Sequence, residues 1–496
     1  MSVASRTEID GSLCNVDDRV TLFRQQGYVN GLWVDTASGE RVNVYNPSTG
    51  GVVGSVPNMS SEEMRVAIEA ARLALPEWRH LLPRERSDLI MRWWALMLEH
   101  RDALATLMTL EQGKPVADAA AEIEYAASFL RWFAEEANRV YGEVIPSHLP
   151  NRKTLVQREP LGVVGLVTPW NFPSAMLIRK AAAALAAGCT VVAVPSSQTP
   201  FSALALAALA ERAGLPPGVF SVLTGKSTVI VGELCRNPIV RGLSFTGSTE
   251  VGRLLMAQCA PTVKRLSLEL GGHAPFLVFA DADIEVAAEA AAVAKFQTGG
   301  QDCLAANRIF VHRSIYESFV EALGRITKAI KVGDGFEPGV EIGPLINAET
   351  VAKSEEHVAD AIAHGGRLVT GGKRLPRGEL FYEPTVIADV TLDMKIMHEE
   401  TFGPVAAVVL FDDETKVIAA ANATEYGLIA YVFTNDLSRA HRVSDALEYG
   451  MIGINTVKVT GAPIPFGGIK QSGLGREGSS HGIDEYTERK YICVAI

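Results

Sequence analysis

Short β-branched runs alternate with segments rich in alanine and leucine from Gly162 to about residue 270. The alternation predicts strands at residues 163–167, 190–194, 219–223, 243–245 and 265–268, with helices near 175–187, 201–213, 227–235 and 249–258. These strands are apolar throughout, which is typical of parallel sheets that helices cover on both faces. The chain is therefore expected to adopt an α/β fold.

A second alternating block runs from about residue 275 to 450, with strand candidates at 309–311 and 406–410. A chain of 496 residues is long enough for two large domains and a small accessory element. We expect two α/β domains, divided near residues 269–272, where a glycine pair interrupts the pattern.

The region before the first block, residues 60–138, is expected to be helical. Ser60 and Glu63 match the S-x-x-E capping box that starts a helix. A second helix is expected from residue 83 to 112, since Gly113 then provides a stop signal.

Two further strand candidates, residues 152–158 and 490–496, lie outside both blocks. Exposed strand edges invite pairing with another chain. We expect these strands to pair across subunits, which predicts a homodimer or homotetramer.

The net charge of -11 limits the possible partners. A nucleic-acid binder needs a basic surface, and so does a protein that binds an anionic membrane. The N-terminal residues lack the apolar core of a signal peptide, and the longest apolar stretch, residues 181–194, is too short to span a bilayer. These features predict a cytoplasmic protein without a nucleic-acid or membrane partner.

Six cysteines are scattered along the chain without the spacing of a zinc site or a disulfide framework. They are therefore expected to be reduced thiols, and no metal is expected. Apart from Cys303, they are interpreted as buried small hydrophobes: Cys14, Cys189, Cys235, Cys259 and Cys493.

Residues 473–478 match the dinucleotide motif G-x-G-x-x-G literally. The motif requires a preceding parallel strand and a following helix within a βαβ unit. Only 18 residues follow Gly478, and no parallel strand is expected before Gly473. The match is therefore rejected as a cofactor site.

Residues 244–252 are a better candidate for binding a phosphate. A strand ends at Phe245 and a helix begins at about Ser248, so unpaired N–H groups and the positive end of the helix dipole would face an anion. Gly247 would let the backbone approach closely. An ordinary capped turn between strand and helix explains the same residues.

Residues 168–173, TPWNFP, follow the first strand of the block. Ligands of open α/β sheets bind at such carboxyl ends. Pro169 and Pro173 would hold Asn171 rigidly, and its amide could donate to an oxyanion. A simple Asx turn is the alternative.

Glu269 lies at the end of an apolar strand. Burial raises the pKa of a carboxyl, which suits a general base. A solvated strand end is the alternative interpretation.

Cys303 follows the flexible turn Gly-Gly-Gln-Asp and precedes an apparent helix. A thiol at a helix N-terminus is shifted toward thiolate, which would make it a nucleophile. Asp302 opposes that shift, so the net effect on the pKa stays open.

Residues 399–404, EETFGP, place a carboxylate and an aromatic ring on one turn. Glu400 could accept hydrogen bonds from ribose hydroxyls, and Phe402 could pack on a flat ring. A polar turn followed by a buried anchor is the alternative.

The order of these motifs along the chain is more specific than any one of them. TPWNFP, FTGSTEVG, ELGG, GQxC, EETFGP and PFGGIKQSGLGRE follow one another as in the aldehyde dehydrogenase superfamily. The resemblance extends from about residue 28 to the end and is greatest to the succinate-semialdehyde dehydrogenase group.

The resemblance implies a reaction and a role for each residue. Cys303 attacks the aldehyde, Asn171 and the Cys303 backbone N–H hold the oxyanion, and Glu269 activates the water that hydrolyses a thioester. Lys180 and Glu477 match positions linked to proton relay. Substrate contacts are implied for Arg179, Gln297, Phe172 and Phe466. Contacts with NAD or NADP are implied for Thr168, Pro169, Trp170, Val194, Ser197, Gly225, Gly247, Ser248, Leu270, Gly271, Glu400 and Phe402.

The sequence departs from the family pattern at the cofactor and substrate sites. The family usually has Lys at the position of Val194, and its NAD-preferring members often have Glu at that of Ser197. Semialdehyde enzymes usually have two arginines for the distal carboxylate, of which Arg179 matches one while Gln297 replaces the other. The usual Asn and second Cys are replaced by Thr298 and Ala305. Cofactor preference and substrate therefore stay open.

These observations predict oxidation of an aldehyde, such as succinate semialdehyde, with NAD or NADP. A general or amino-aldehyde dehydrogenase, an ester hydrolase and an inactive binding homologue are the alternatives. The expected architecture is a Rossmann-like cofactor domain, a catalytic domain and a small β oligomerisation element. The cofactor domain is expected to comprise residues 1–140 and 160–269, and the catalytic domain residues 270–470. The oligomerisation element is expected to comprise residues 141–159 and 486–496.

Overall fold

The computed structural model describes residues 22–496, so Cys14 lies outside the described residues. The helices are α1 (Ser61–His80), α2 (Pro83–Glu99), α3 (Arg101–Gln112), α4 (Val116–Glu136), α5 (Pro173–Ala187), α6 (Pro200–Ala213), α7 (Ser227–Arg236), α8 (Thr249–Cys259), α9 (Ile284–Phe296), α10 (Tyr316–Ala329), α11 (Ala348–Ala363), α12 (Glu414–Asn422), α13 (Leu437–Ala446) and α14 (His481–Asp484). The strands are β1 (Gly27–Val29), β2 (Leu32–Val34), β3 (Arg41–Tyr45), β4 (Val52–Pro57), β5 (Glu143–Ile145), β6 (Arg152–Pro160), β7 (Val163–Val167), β8 (Thr190–Val194), β9 (Phe220–Val222), β10 (Val240–Thr246), β11 (Arg265–Glu269), β12 (Ala274–Val278), β13 (Ala306–His312), β14 (Arg367–Thr370), β15 (Thr385–Ala388), β16 (Val405–Phe411), β17 (Ile429–Phe433), β18 (Met451–Ile454), β19 (Gly473–Leu474) and β20 (Thr487–Ala495).

The first large sheet has eight strands in the order β19-β11-β10-β7-β8-β9-β1-β2. Strands β7 to β11 are parallel, as the alternation predicted, while β1, β2 and β19 add antiparallel edges. The chain leaves β7 toward β8 on one side and later returns to β10 on the other side. The carboxyl ends of β7 and β10 therefore flank a topological switch point, where open sheets bind ligands.

The second large sheet has seven strands in the order β14-β15-β16-β13-β12-β17-β18. All its neighbours are parallel except the edge pair β14 and β15. The chain passes from the first sheet to the second between Glu269 and Ala274, which are the end of β11 and the start of β12. The expected α/β class with two largely parallel sheets is confirmed.

The small third sheet has the order β20-β6-β5 and brings the C-terminus back to residues 143–160. The two polar strands expected to pair across subunits instead pair with each other within one chain, antiparallel from Thr487 opposite Pro160 to Ala495 opposite Arg152. The two strands therefore form one small sheet within the chain, and pairing across subunits stays a prediction.

The helical layer differs from the sequence expectation at one point. The capping box at Ser60 and Glu63 is present, with both of its hydrogen bonds. The helix expected from 83 to 112 is two helices, because the chain turns at His100, the residue between α2 and α3. No glycine or proline marks that turn, so the sequence carried no breaker signal there.

Two buried glutamates of this layer hold the first turns of the helices that cover the sheet. Glu111 accepts hydrogen bonds from the backbone N–H groups of Phe201 and Ser202, both at 2.7 Å. Glu122 accepts from Ser174 and Ala175 at 3.0 and 3.1 Å. Helices α5 and α6 both begin with proline, and their own N-cap side chains make no capping bond. A carboxylate from another helix therefore satisfies the free N–H groups.

Replacement of Glu111 by alanine is expected to lower the free energy of unfolding by about 3 kcal/mol, because two buried backbone N–H groups lose their acceptor and each buried donor without a partner costs roughly 1–3 kcal/mol. Glu111→Gln should lose less, since one oxygen acceptor remains. Urea denaturation measures both changes. Glu99→Ala, an exposed substitution at the end of α2, is the control and should change little. Equal stability of Glu111→Ala and the control would show that the cap contributes nothing.

Candidate active site

The loops after β7 and β10 form the two sides of a crevice at the switch point. Thr168 continues from β7, and its backbone N–H donates to the carbonyl of Val194 at 3.1 Å. The hydroxyls of Thr168 and Thr246 are buried and have no hydrogen-bond partner in the described chain. Unpaired buried hydroxyls at the carboxyl ends of two strands fit a polar ligand in this crevice.

Ser248 is the N-cap of α8, and its side chain accepts from the N–H of Val251 at 3.3 Å. Gly247 packs against the ring of Phe245, where an added Cβ would lie 2.3 Å from the nearest ring atom. The remaining free N–H groups of this first turn can hold a phosphate. The capped turn and the phosphate site are therefore compatible interpretations of the same residues.

Helices α7 and α8 present exposed apolar side chains beside this turn: Val229, Val251 and Leu254. These residues were not predicted from the sequence, because apolar residues at helical spacing usually form the buried face of a helix. A flat, apolar base fits such a cleft. Gly225, with φ 150, lies just before α7 and would meet Met59 if it carried a side chain.

The two positions that depart from the family pattern differ in exposure. Val194 is buried within the apolar cluster under the first sheet, and Ser197 is exposed in the loop that follows β8. Of these two side chains, that of Ser197 is accessible to a ligand and that of Val194 is not, so contact of Val194 with a cofactor stays a prediction.

The EETFGP loop crosses from the second sheet to the crevice. Glu400 accepts a hydrogen bond from the backbone N–H of Gly272 at 3.1 Å, and burial raises the pKa of Glu400 to about 7. Phe402 has φ 52 and packs edge-on against Trp170, with ring centroids 5.6 Å apart. A bulky residue in the left-handed region is strained, and such strain is concentrated at ligand sites.

The segment around Leu270 and Gly271 joins the two halves of the site. The N–H of Leu270 donates to the carbonyl of Ser472 at 2.9 Å, and the Ser472 hydroxyl donates to Gly271 at 2.7 Å. A Cβ on Gly272 would lie 2.3 Å from the carbonyl oxygen of Cys303. Only a glycine therefore allows this close approach of the two loops.

Cys303 lies at the amino edge of the second sheet, in a turn that leads into β13. The expected helix after Cys303 is absent, because the following residues pair with β12 and β16 instead. Burial, and next Glu269 and Asp302, raise the pKa of the Cys303 thiol well above its usual value. Because no helix begins at Cys303, no helix dipole lowers the thiol pKa and so offsets the increase that Asp302 causes.

Asn171 faces the same turn from the first sheet. Its side-chain amide donates to the carbonyl of Gln301 at 3.0 Å, while its Oδ1 is buried without a partner. The rigid placement beside the Cys303 loop, rather than a local Asx turn, explains this residue.

Glu269, at the carboxyl edge of the first sheet, is 2% exposed, and neither carboxyl oxygen has a hydrogen-bond partner in residues 22–496. Burial raises its pKa to about 8, although Arg179 acts in the opposite direction. The solvated alternative for Glu269 is therefore wrong. An unpaired, buried carboxyl that titrates near neutral pH is suited to proton transfer.

Glu477 holds two cations of α5. The Nε of Arg179 donates to Glu477 at 2.5 Å, and Lys180 donates both to Glu477 and to the Ser244 hydroxyl, the latter at 3.2 Å. Burial alone would raise the pKa of Glu477, but Arg179 and Lys180 hold it below its usual value. Burial lowers the pKa of Lys180.

The G-x-G-x-x-G match is not a dinucleotide loop, as expected. Gly473 and Leu474 form β19, which pairs antiparallel with β11. A Cβ on Gly473 would lie 2.0 Å from the carbonyl of Leu268, so the glycine serves close strand packing.

A cavity of about 280 Å³ opens in front of Cys303. Five of the predicted residues line it: Phe172, Arg179, Gln297, Cys303 and Phe466. The guanidinium of Arg179 lies 4.1 Å from the centroid of the Phe466 ring. Arg179 was expected to hold a substrate carboxylate; in the structure it lines the cavity and its Nε donates to Glu477, so the substrate contact stays a prediction.

The cavity also has lining residues that sequence analysis missed. Asp118, Glu122 and Tyr125 come from one face of α4, and Asp302 precedes the thiol. Their spacing of four and then three residues on an alanine-rich helix was a usable signal, because such positions share a helix face. Lys114, just before α4, carried no such signal.

In the described part of the chain, no group of three metal-binding side chains is present. No helix within residues 22–496 is long and apolar enough to cross a membrane. Cys189, Cys235 and Cys259 are buried, but Cys493 is exposed on β20, so its interpretation as a buried hydrophobe was wrong.

The sequence pattern of the aldehyde dehydrogenase family matches residues 33–492. The chain belongs to the aldehyde dehydrogenase family. A glutarate-semialdehyde dehydrogenase of Pseudomonas aeruginosa is 55% identical over 473 residues, which are 95% of this chain and 98% of that protein. A succinate-semialdehyde dehydrogenase [NADP(+)] of Escherichia coli is 55% identical over 475 residues, 96% of this chain and 98% of that protein.

Among solved structures, a succinate-semialdehyde dehydrogenase from Burkholderia pseudomallei superposes with a TM-score of 0.96 at 51% identity, covering 98% of this chain and 100% of that chain. These similarities confirm the resemblance to the aldehyde dehydrogenases. This dehydrogenase is therefore an oxidoreductase that acts on aldehydes.

The rate at which iodoacetamide alkylates Cys303 is expected to keep rising with pH beyond 9, because the thiol pKa is raised. In Glu269→Gln one nearby negative charge is lost, which favours the thiolate and shifts the profile to lower pH. Peptide mass spectrometry measures Cys303 alone, and exposed Cys493 is the reference thiol in the same sample. Slower alkylation of Glu269→Gln at every pH would mean that Glu269 deprotonates the thiol instead.

Proposed function

We propose that this dehydrogenase oxidises a semialdehyde to the carboxylic acid at Cys303, with NAD or NADP as the acceptor. The observation that carries the proposal is the buried carboxyl of Glu269 beside the buried thiol of Cys303, which itself lines a cavity large enough for a small aldehyde. The named substrates of the relatives, succinate and glutarate semialdehyde, support the substrate class.

The crevice fits a dinucleotide. The first turn of α8 can hold the pyrophosphate, the cleft between α7 and α8 the adenine, and Glu400 a ribose hydroxyl. Trp170, Phe402, Leu270 and Gly271 would surround the nicotinamide end. A bound dinucleotide in its oxidised form supplies the acceptor for the hydride that leaves the substrate carbon.

The chain's own groups perform the remaining steps. The Cys303 thiol gives its proton to water in the cavity, and its sulfur attacks the aldehyde carbon as the carbonyl π bond breaks. The Asn171 amide and the Cys303 backbone N–H donate to the oxygen that becomes negative. After oxidation the substrate is a thioester. Glu269 takes a proton from the attacking water, the C–S bond breaks, and the acid leaves while the thiol regains its proton. Lys180 and Glu477 can carry the proton away from Glu269.

The third sheet would join subunits. It exposes an apolar surface that a monomer would leave in water, at Tyr141, Val144, Tyr491, Val494 and Ile496. Val144 is 82% exposed on the edge strand β5. A homodimer or homotetramer built on this surface is part of the proposal.

Cys303→Ala is expected to abolish aldehyde oxidation while leaving cofactor binding intact. Glu269→Gln should keep the first turnover and slow the later ones by about 100-fold or more, since a general base contributes 10²–10⁴-fold. In the parent enzyme, deacylation needs the ionised form of Glu269, so its rate should rise with pH through about 8 and then level off.

Stopped-flow absorbance of the reduced cofactor between pH 6.5 and 9.5 separates the burst from the steady state. Retention of more than trace activity in Cys303→Ala would exclude the thioester route. A pH profile of Glu269→Gln that still rises through 8 would assign the base to another group.

Gln297→Arg is expected to raise kcat/KM for succinate semialdehyde about tenfold, because a hydrogen bond to a charged group contributes roughly 1.5–3 kcal/mol and about 1.4 kcal/mol is one decade. The same change should lower kcat/KM for butanal. Gln297→Met, of similar length and no charge, is the control for shape. An unchanged ratio of the two substrates in Gln297→Arg would show that position 297 does not contact the distal carboxylate.

A further inference from the structure

The cavity in front of Cys303 is lined by more acidic than basic groups. Its cations are Lys114 and Arg179, and its acids are Asp118, Glu122 and Asp302. A pocket that binds only a semialdehyde with a distal carboxylate is expected to contain cations without a carboxylate partner, because the distal carboxylate needs positive charge or N–H donors.

Both cations already have carboxylate partners. The ammonium of Lys114 donates to Glu122 at 2.6 Å and to the carbonyl of Asn171 at 2.7 Å, and it lies 4.2 Å from the centroid of the Phe172 ring. Arg179 is paired with Glu477. The Nη1 of Arg179 donates no hydrogen bond to any residue in 22–496, whereas its Nε and Nη2 are engaged. Arg179 can therefore bind one substrate carboxylate while it stays paired with Glu477.

Two of the acids have no such partner. Asp118 makes no hydrogen bond and no ion pair with any residue that the structure describes, and Lys114, its nearest cation, is held by Glu122. Asp302 accepts a hydrogen bond from the backbone N–H of Leu304 at 3.0 Å and another from the Cys303 thiol, and it forms no ion pair with any residue that the structure describes. Burial raises the pKa of both carboxyls, as expected where no counter-ion is present.

Thr298 is an independent sign of a polar ligand in this cavity. It is 5% exposed, lines the cavity, and no hydrogen bond reaches its hydroxyl from the described chain. Its backbone has φ 52 and ψ 32, which is a strained conformation for a β-branched residue. A hydroxyl that lines a cavity without a hydrogen-bond partner, on a backbone held at some conformational cost, is expected where a ligand completes the hydrogen bonds.

We propose that the natural substrate is an amino semialdehyde, whose ammonium group is bound by Asp118, Asp302 and the Thr298 hydroxyl. The inference rests on the proposed aldehyde oxidation and names its substrate class. The distal carboxylate of the same molecule binds the free Arg179 N–H groups and the Gln297 amide. A substrate that carries both an ammonium and a carboxylate provides a partner for the two aspartates and for the free Arg179 N–H groups. A semialdehyde without an ammonium group leaves both aspartates without a cation.

Two four-carbon aldehydes test the proposal directly. Aspartate 4-semialdehyde and succinate semialdehyde share one carbon chain and differ only in the ammonium group. The parent enzyme is expected to prefer the amino compound by at least about tenfold in kcat/KM. Asp118→Asn and Asp302→Asn should each reduce that preference severalfold. The ratio of the two substrates cancels any general effect of Asp302→Asn on the reactivity of Cys303.

Glu124→Gln, on the exposed side of the same helix α4, removes one negative charge outside the cavity and should leave the ratio unchanged. A parent enzyme that prefers succinate semialdehyde would overturn the proposal, and so would a ratio that neither aspartate variant changes. Equal slowing of both substrates by Asp302→Asn, with no effect of Asp118→Asn, would assign Asp302 to the thiol and also overturn it. If neither these aldehydes nor butanal reduces either cofactor, the proposed function itself fails.

Discussion

The carboxylate of Glu477 lies between Arg179 and Lys180 in a place where almost no water reaches any of the three. It belongs to the C-terminal segment, which returns from the second sheet, whereas both cations belong to α5, which covers the first. Removing one member of such a buried group leaves an uncompensated charge and costs about 3–5 kcal/mol. The cluster therefore fixes the C-terminal segment against α5. It also places one face of Arg179 in the substrate cavity and a positive charge near Glu269.

Burial controls the protonation of the whole reaction centre. Glu269 comes from the end of β11, and Glu400 and Cys303 come from two separate loops. Loss of solvent raises the pKa of each of the three groups. The resting site therefore holds its protons, and Glu269 becomes a base only when it is ionised near pH 8. Its unpaired oxygens leave room for the water that must approach a thioester.

The helical layer is part of the site as well as of the scaffold. Glu122 caps α5 and at the same time holds Lys114, so one carboxylate joins the stability of a covering helix to the wall of the cavity. Glu111 makes the corresponding cap on α6 without reaching the cavity. The charge balance of the pocket thus depends in part on how α4 satisfies the first turn of α5.

The amino-acid sequence by itself determined the alternating strands and helices and the switch from one sheet to the next after Glu269. The order of its motifs also indicated the family of the chain, and with it the roles expected for Cys303, Glu269 and Asn171. Those features depend on local periodicity and on short motifs, which residues close in sequence carry. The break at His100 and the strand after Cys303 were missed, because packing and strand pairing overrode weak local preferences there. Only the tertiary structure decided that β6 pairs with β20, and that Arg179 binds Glu477, 298 residues away. The pairing of charges in a cavity depends on where distant segments meet. The sequence alone therefore could not show that Asp118 and Asp302 form no ion pair with the described residues.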